Sequence, residues 1–152
     1  MIVDPALAPI SGEHGLRSLR LSVAGRLTQF GAHIETLAPG AWSSRRPVRH
    51  WHAAEDEFPY TLDGVVTLHD DSKATDLPPG TCFCRPAGVP NAHQLENRSD
   101  LPVIHFVAGS RLPEGELTYP DIDLHYSRNG GLRTLSHKDV TPYPGWPREV
   151  RP

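Results

Sequence analysis

Cysteine is nearly missing from this chain: Cys82 and Cys84 are the only two in 152 residues. Residues two apart on a strand lie about 6 to 7 Å apart along it, so this pair cannot bridge without distorting its strand. A disulfide scaffold is therefore excluded, and the two thiols are expected to be reduced and to fill small core positions. A Cys-x-Cys metal knuckle is the sharper alternative, but no second cysteine pair exists to complete a thiolate site. Long apolar runs are lacking too. No segment approaches the roughly 18 apolar residues that span a bilayer, and MIVDPALAPISGEH at the N-terminus has no basic region followed by an apolar stretch. The expectation is a cytoplasmic protein without a membrane partner. Nor is there an excess of one charge: the net charge of −3 leaves no electrostatic footprint for nucleic acid.

What the chain has instead is punctuation. Sixteen prolines and 13 glycines argue against a helical bundle and for many turns joining short strands. Its length suits one domain able to bury an adequate core. No internal repeat divides it.

One stretch concentrates chemistry, HWHAAEDEFPYTLDG from His50 to Gly64. If it is extended, His50 and His52 project from one face while Trp51 points the other way. A short turn through Ala53, Ala54, Glu55 and Asp56 then allows Glu57 to return beside them. Two imidazoles and a carboxylate suit a divalent transition metal with open coordination positions.

The spacing His50, His52, Glu57, Gly64 resembles the first conserved motif of the cupin superfamily at every position. Its second motif is resembled by Gly80, Pro86 and Gly88 in GTCFCRPAG, followed by VPNAHQLEN with His93 and Asn97. Two departures stand out. The motif's histidine position holds Asn91, and His93 lies two residues further on; strand parity keeps both on one face, which makes His93 the fourth ligand candidate. Before His50, nine residues follow Gly40 instead of the usual five. Through LTQFGAHIETLAPGAWSS, PAGVPNAHQLENRSD and YPDIDLHY the chain is also similar to a group of small, single-domain bacterial cupins. The resemblance implies an all-β double-stranded β-helix, the jelly-roll barrel, with a core over about residues 15–112 and an extension over 113–152 packing on it. It implies one divalent ion (Fe, Zn, Mn or Ni) on His50, His52, Glu57 and His93. It leaves the reaction open, because one fold hosts many functions.

Elsewhere, SLRLSVA (18–24) alternates as a half-buried strand, and GAHIETLAPG (31–40) as another in which His33 and Glu35 share a face that either approaches the cavity or, as expected here, forms a solvated or partner-facing row. Arg45, Arg46 and Arg49 form a basic loop before the ligands. It is either a solvated loop or a clamp for a substrate carboxylate or phosphate. Asp70, Asp71 and Ser72 turn a hairpin, Pro59 requires an edge strand or irregular pairing, and residues 80–86 make a strand. LPVIHFVAG (101–109) reads as a core strand with His105 as a satisfied buried histidine. Ile122, Leu124 and Tyr126 alternate along a further strand, and Asn129-Gly130 signals a hairpin. His125 and His137 are surface residues.

A centre with three neutral imidazoles and a carboxylate favours an anionic oxygen ligand and retains room for a bidentate substrate. Two enzyme classes fit, a dioxygenase and an isomerase or lyase. The second needs a base, for which Glu55, His105 and Tyr60 are the candidates. The rival is a non-catalytic module that binds a sugar or organic acid. A homodimer is expected, since a small barrel has a sheet edge or face to cover.

Overall fold

The computed structural model describes residues 1–44 and 48–149. Among the described residues thirteen strands follow one another: β1 (Ile10–Ser11), β2 (Leu16–Leu19), β3 (Phe30–Leu37), β4 (Trp51–His52), β5 (Glu57–Asp63), β6 (Val66–His69), β7 (Ala74–Leu77), β8 (Gln94–Glu96), β9 (Val103–Ser110), β10 (Gly115–Tyr119), β11 (Leu124–Asn129), β12 (Leu132–Ser136) and β13 (Arg148–Glu149). They form antiparallel sheets in the orders β1-β2-β3-β9-β5, β7-β6-β8 and β13-β12-β11-β10-β4. The fold is the all-β jelly roll anticipated from the sequence. Among the described residues, no helix is long and apolar enough to cross a membrane.

The first sheet sets up the site through strand parity. Gly31, His33, Glu35 and Leu37 of β3 alternate with Phe30, Ala32, Ile34 and Thr36, and β9 stays in register with β3 along its whole length. Glu57, Pro59 and Thr61 of β5 oppose Gly109, Val107 and His105. The odd-numbered residues therefore share the inner face. Leu37 and Val103 sit at one end of it, both at 0% exposure, in a core with Ala41, Val66, Leu68 and Leu95. His33 and Glu35 thus face inward rather than forming the expected solvated or partner-facing row. Two residues of alternation could not say which face was covered.

Pro59 lies on β5, at the end of its sheet, as a residue without an N–H requires. At the close of β5 Gly64 has φ +74°, and a Cβ there would come within 2.9 Å of Val103 Cγ2, so the turn needs glycine on two counts. The hairpin of β6 and β7 turns on Asp70, whose Oδ1 accepts from the Ser72 N–H, the Ser72 hydroxyl and the Lys73 N–H at 2.9, 2.7 and 3.1 Å.

Three local expectations change. The strand over 18–24 stops at Leu19, and Leu21–Ala24 is a single helical turn, because Leu19 is the last residue paired with β3. Residues 80–86 make isolated bridges to β5 at Cys82 and Arg85 instead of a full strand. Cys82 and Cys84 are exposed rather than core residues, since the half-buried positions there are Phe83 and Arg85. Beyond residue 113, β10 pairs with β4, with Leu117 and Thr118 opposite His52 and Trp51.

Candidate metal centre

Three separate backbone pairings bring the site residues together. His50 and His93 exchange both backbone hydrogen bonds, at 3.2 and 2.9 Å. Glu57 does the same with Arg85, at 3.0 and 2.9 Å. His52 is carried on β4 against β10, and its carbonyl accepts from the Gly88 N–H at 3.0 Å. The Ala53–Asp56 turn is pinned at its end: the Asp56 N–H donates to Ser110 Oγ at 2.8 Å, and Asp56 Oδ1 accepts from the Ala87 N–H at 2.7 Å.

The result is a tight group. His50, His52 and Glu57 each present a ligand atom within 4.8 Å of the others, a set that could hold a metal ion. His52 Nε2 lies 3.5 Å from Glu57 Oε2. His93 stands outside that group of three: it is 4% exposed, its Nε2 hydrogen-bonds the same oxygen at 2.8 Å, and its ring lies 5.2 Å from that of His50. It adjoins the group from the side of Glu57 and is not directed into solvent. Asn91 takes no part: its Oδ1 accepts from the Asp71 N–H at 3.2 Å and braces the hairpin turn.

Electrostatics suits a cation. Burial pushes the His50 imidazolium down to about 4, with His93 and His52 adding to the effect against Glu57, so His50 is neutral with a free lone pair near pH 7. Burial alone would raise Glu57, but the hydrogen bond from His93 and the three imidazoles outweigh it and hold the carboxyl down at about 2. The Nδ1 atoms of His50, His52 and His93 are buried without hydrogen-bond partners. Imidazoles around one carboxylate form a donor set of the kind divalent transition metals take.

The group opens on a cavity of about 230 Å³ whose wall includes His33, His52, Glu55, Glu57, Arg111 and Arg128. Glu55 accepts from Arg128 at 2.6 Å and from the Leu112 N–H at 3.0 Å. It lies 3.6 Å from His52 Nδ1, an ion-pair distance too long for a hydrogen bond. Despite the upward push of burial, His52, Leu112 and Arg128 together hold Glu55 down at about 2. It is therefore ionised near pH 7, with its carboxylate committed to Arg128 and the Leu112 N–H. Tyr60 is removed from the list of bases by parity: it bridges Cys82 on the outer side of β5. His105, 1% exposed, sits with Nε2 3.2 Å from Glu35 Oε2, and neither ring nitrogen makes a hydrogen bond of good geometry. It is buried as expected, but beside the Glu35 carboxylate without a satisfying hydrogen bond.

Arg49 is no clamp for substrate. It grips Asp121 through two hydrogen bonds at 3.0 and 2.8 Å and Asp71 through a third at 2.9 Å. Arg45 and Arg46 lie outside the described residues. The residues missed from the sequence are Arg111, Arg128 and Tyr119, whose ring lies 5.6 Å from that of His50, while His33 takes the inward of its two readings. The three arrive through the β9 terminus and the β10–β11 pairing.

A family model described as "Cupin domain" matches residues 33–108. The chain belongs to the cupin superfamily. This cupin is similar along almost its whole length to a structure titled as a sugar phosphate isomerase from a cupin superfamily, from Silicibacter pomeroyi, with 34% identity, a TM-score of 0.86, and coverage of 95% of this chain and 98% of that one. A structure from Acidithiobacillus ferrooxidans, given the provisional title of sugar phosphate isomerase, shares 24% identity at a TM-score of 0.77 over 96% of this chain and 90% of that one. A Thermotoga maritima protein titled as a predicted oxalate decarboxylase follows at 19% identity and a TM-score of 0.61, over 74% of this chain and all of that one, which speaks to the fold alone. No curated protein matches the sequence.

Proposed function

We propose that this cupin is a metal-dependent isomerase or lyase of a small, oxygenated, anionic organic molecule, with sugar phosphates the first substrates to test. The observation that carries this reading is the His50, His52 and Glu57 group opening on a cavity that His33 also lines. The 34% identical relative from Silicibacter pomeroyi, titled as a sugar phosphate isomerase, supports it.

His50, His52, Glu57 and His93 would hold one divalent ion, Fe, Zn, Mn or Ni, since affinity order alone does not select among them. Such an ion supplies Lewis acidity toward a carbonyl, or redox chemistry if it is iron. The remaining work falls to side chains of the cavity. His33 is the proton acceptor this reading needs: burial lowers its pKa, beyond what Glu35 restores, with Arg111 and Arg20 adding to the fall. It is neutral near pH 7 and its Nδ1 is buried without a hydrogen-bond partner. A positioned imidazole of this kind contributes about 10² to 10⁴ in rate. Glu55 stays ionised, holding Arg128 in place beside His52.

The test begins with metal analysis of protein purified without chelator, then anaerobic assays with aldose and ketose phosphates in deuterated water. Turnover with deuterium incorporation, retained in His137→Ala and lowered about 10²- to 10⁴-fold in His33→Gln, is the expected result. Oxygen uptake with small carboxylates or diketones would replace this reading with a dioxygenase. Saturable binding without turnover would make the protein a non-catalytic binding module. His52→Ala should lose most of the metal, and equal occupancy in His52→Ala and wild type would remove that residue from the centre.

A further inference from the structure

We infer that Arg111 is the anchor for an oxyanion group, phosphate or carboxylate, on the molecule that enters the cavity. This rests on the reading of the cavity as a substrate site and names the chemistry of one end of that substrate. The argument is one of charge commitment. Around the cavity, Arg128 is bound to Glu55 and to the Leu112 carbonyl. Asp56 accepts from Ala87, and the Glu57 carboxylate belongs to the imidazole group. Beyond the lining residues, Arg49 is spent on Asp121 and Asp71 and Arg85 on Asp70 at 3.3 Å, while Arg20, which also acts on His33, does not line the cavity.

Arg111 is different. Its backbone N–H donates to the Gln29 carbonyl at 2.9 Å, which fixes the chain at the end of β9, yet among the described residues its guanidinium has no ion pair and no hydrogen bond. It is half-buried, and a guanidinium removed partly from water without a carboxylate is a costly arrangement unless an anion completes it. Gly31 makes the space. A Cβ on Gly31 would lie 3.6 Å from an Arg111 terminal nitrogen and 3.1 Å from His33 Nε2, so the missing side chain leaves a corner that opens onto both groups. An oxyanion seated there would be gripped by the planar fork of donors that arginine offers and lysine does not. The cavity of about 230 Å³ equals the liquid volume of about eight waters, room for an oxyanion head and a few carbons.

The experiment is an NMR titration of the protein as purified with inorganic phosphate, and separately with acetate, following the Arg111 Nε–H and His33 ring signals. Saturable shifts at both groups are expected, with phosphate affinity falling about 10- to 100-fold in Arg111→Gln and less in Arg111→Lys, which keeps the charge but not the fork. Metal content and melting temperature should match wild type in both variants. Wild type and Arg111→Gln titrating alike, or no saturable shift in wild type, overturns the assignment. Because the readout needs no turnover, phosphate capture at Arg111 without sugar phosphate isomerisation would sink the functional reading and leave the anion site standing.

Discussion

Asn97 shows how much one buried amide can tie together. Its Nδ2 donates to the Leu37 carbonyl at 2.9 Å and to the Leu101 carbonyl at 2.8 Å, while its Oδ1 accepts from the Ser99 N–H and the Ser99 hydroxyl at 2.9 and 2.7 Å. At 0% exposure the amide and its partner Leu37 are sealed from water, whereas Ser99 and Leu101 lie at the surface. Replacing it by alanine takes this donor from the buried Leu37 carbonyl and loosens the turn into β9, for an expected loss of about 1 to 3 kcal/mol in chemical unfolding. A loss below about 0.5 kcal/mol would mean that the turn holds by other contacts. Gly64→Ala should cost a similar amount, through its left-handed backbone and the contact with Val103. At this scale the motif spacing pointed to three side chains that the fold brings together, His50, His52 and Glu57, and to His93 beside them, because parity along a strand survives a shift of two. It was no guide to His33, whose inward direction depends on which face of β3 the rest of the chain covers. Arg111 could not be found at all: the lack of a partner is a property of the packed molecule.

Among elements, the β6–β7 hairpin is held by a charge. The Ser72 hydroxyl, then against burial the N–H groups of Ser72 and Lys73 and the Arg85 guanidinium, keep Asp70 below the usual carboxylate range. A carboxyl depressed in the folded state adds stability that is present above its unfolded pKa, about 3.9, and is lost as pH falls toward the lower folded value. Wild type should therefore be more stable than Asp70→Asn at pH 6, with the gap narrowing steadily below pH 4 in urea unfolding curves. A gap that is constant down to pH 2 would show that Asp70 acts only through its shape. This hairpin was readable because its turn chemistry is local, as was the β11–β12 hairpin, which turns at Gly130 and Gly131 directly after Asn129. The segment over 80–86 was not, since alternation marks an extended chain but does not say whether a neighbour lies alongside for one residue or seven. The pairing of β10 with β4 was equally invisible: it joins residues more than sixty positions apart.

For the molecule as a whole, the outer face of the β3-β9-β5 sheet raises a question of burial. Ile34, Phe106 and Tyr60 line up across the three strands in register, with Ala32, Ala108 and Phe58 in the next row. Phe30, Phe58 and Leu62 are 44%, 38% and 46% exposed, and the rest of these residues are half-buried. A contiguous apolar face on a sheet of this size is more than scattered surface hydrophobes need, and such faces mark protein–protein contacts. We propose that a second copy covers it, giving a two-fold dimer in which Phe58 lies within the contact. The dimer would have to bury about 1,200 to 2,000 Å² in total to be stable, the ordinary range for specific interfaces. Light scattering on the eluting protein should give twice the chain mass for wild type, and the monomer mass for the Phe58→Glu, Ile34→Glu double variant, because two buried carboxylates per subunit without partners outweigh the apolar contact. Metal content should stay at the wild-type level in that variant, since Phe58 and Ile34 point away from His50, His52 and Glu57. A wild-type monomer would leave the face to some other cover, and a dimer that survives both substitutions would place the interface elsewhere.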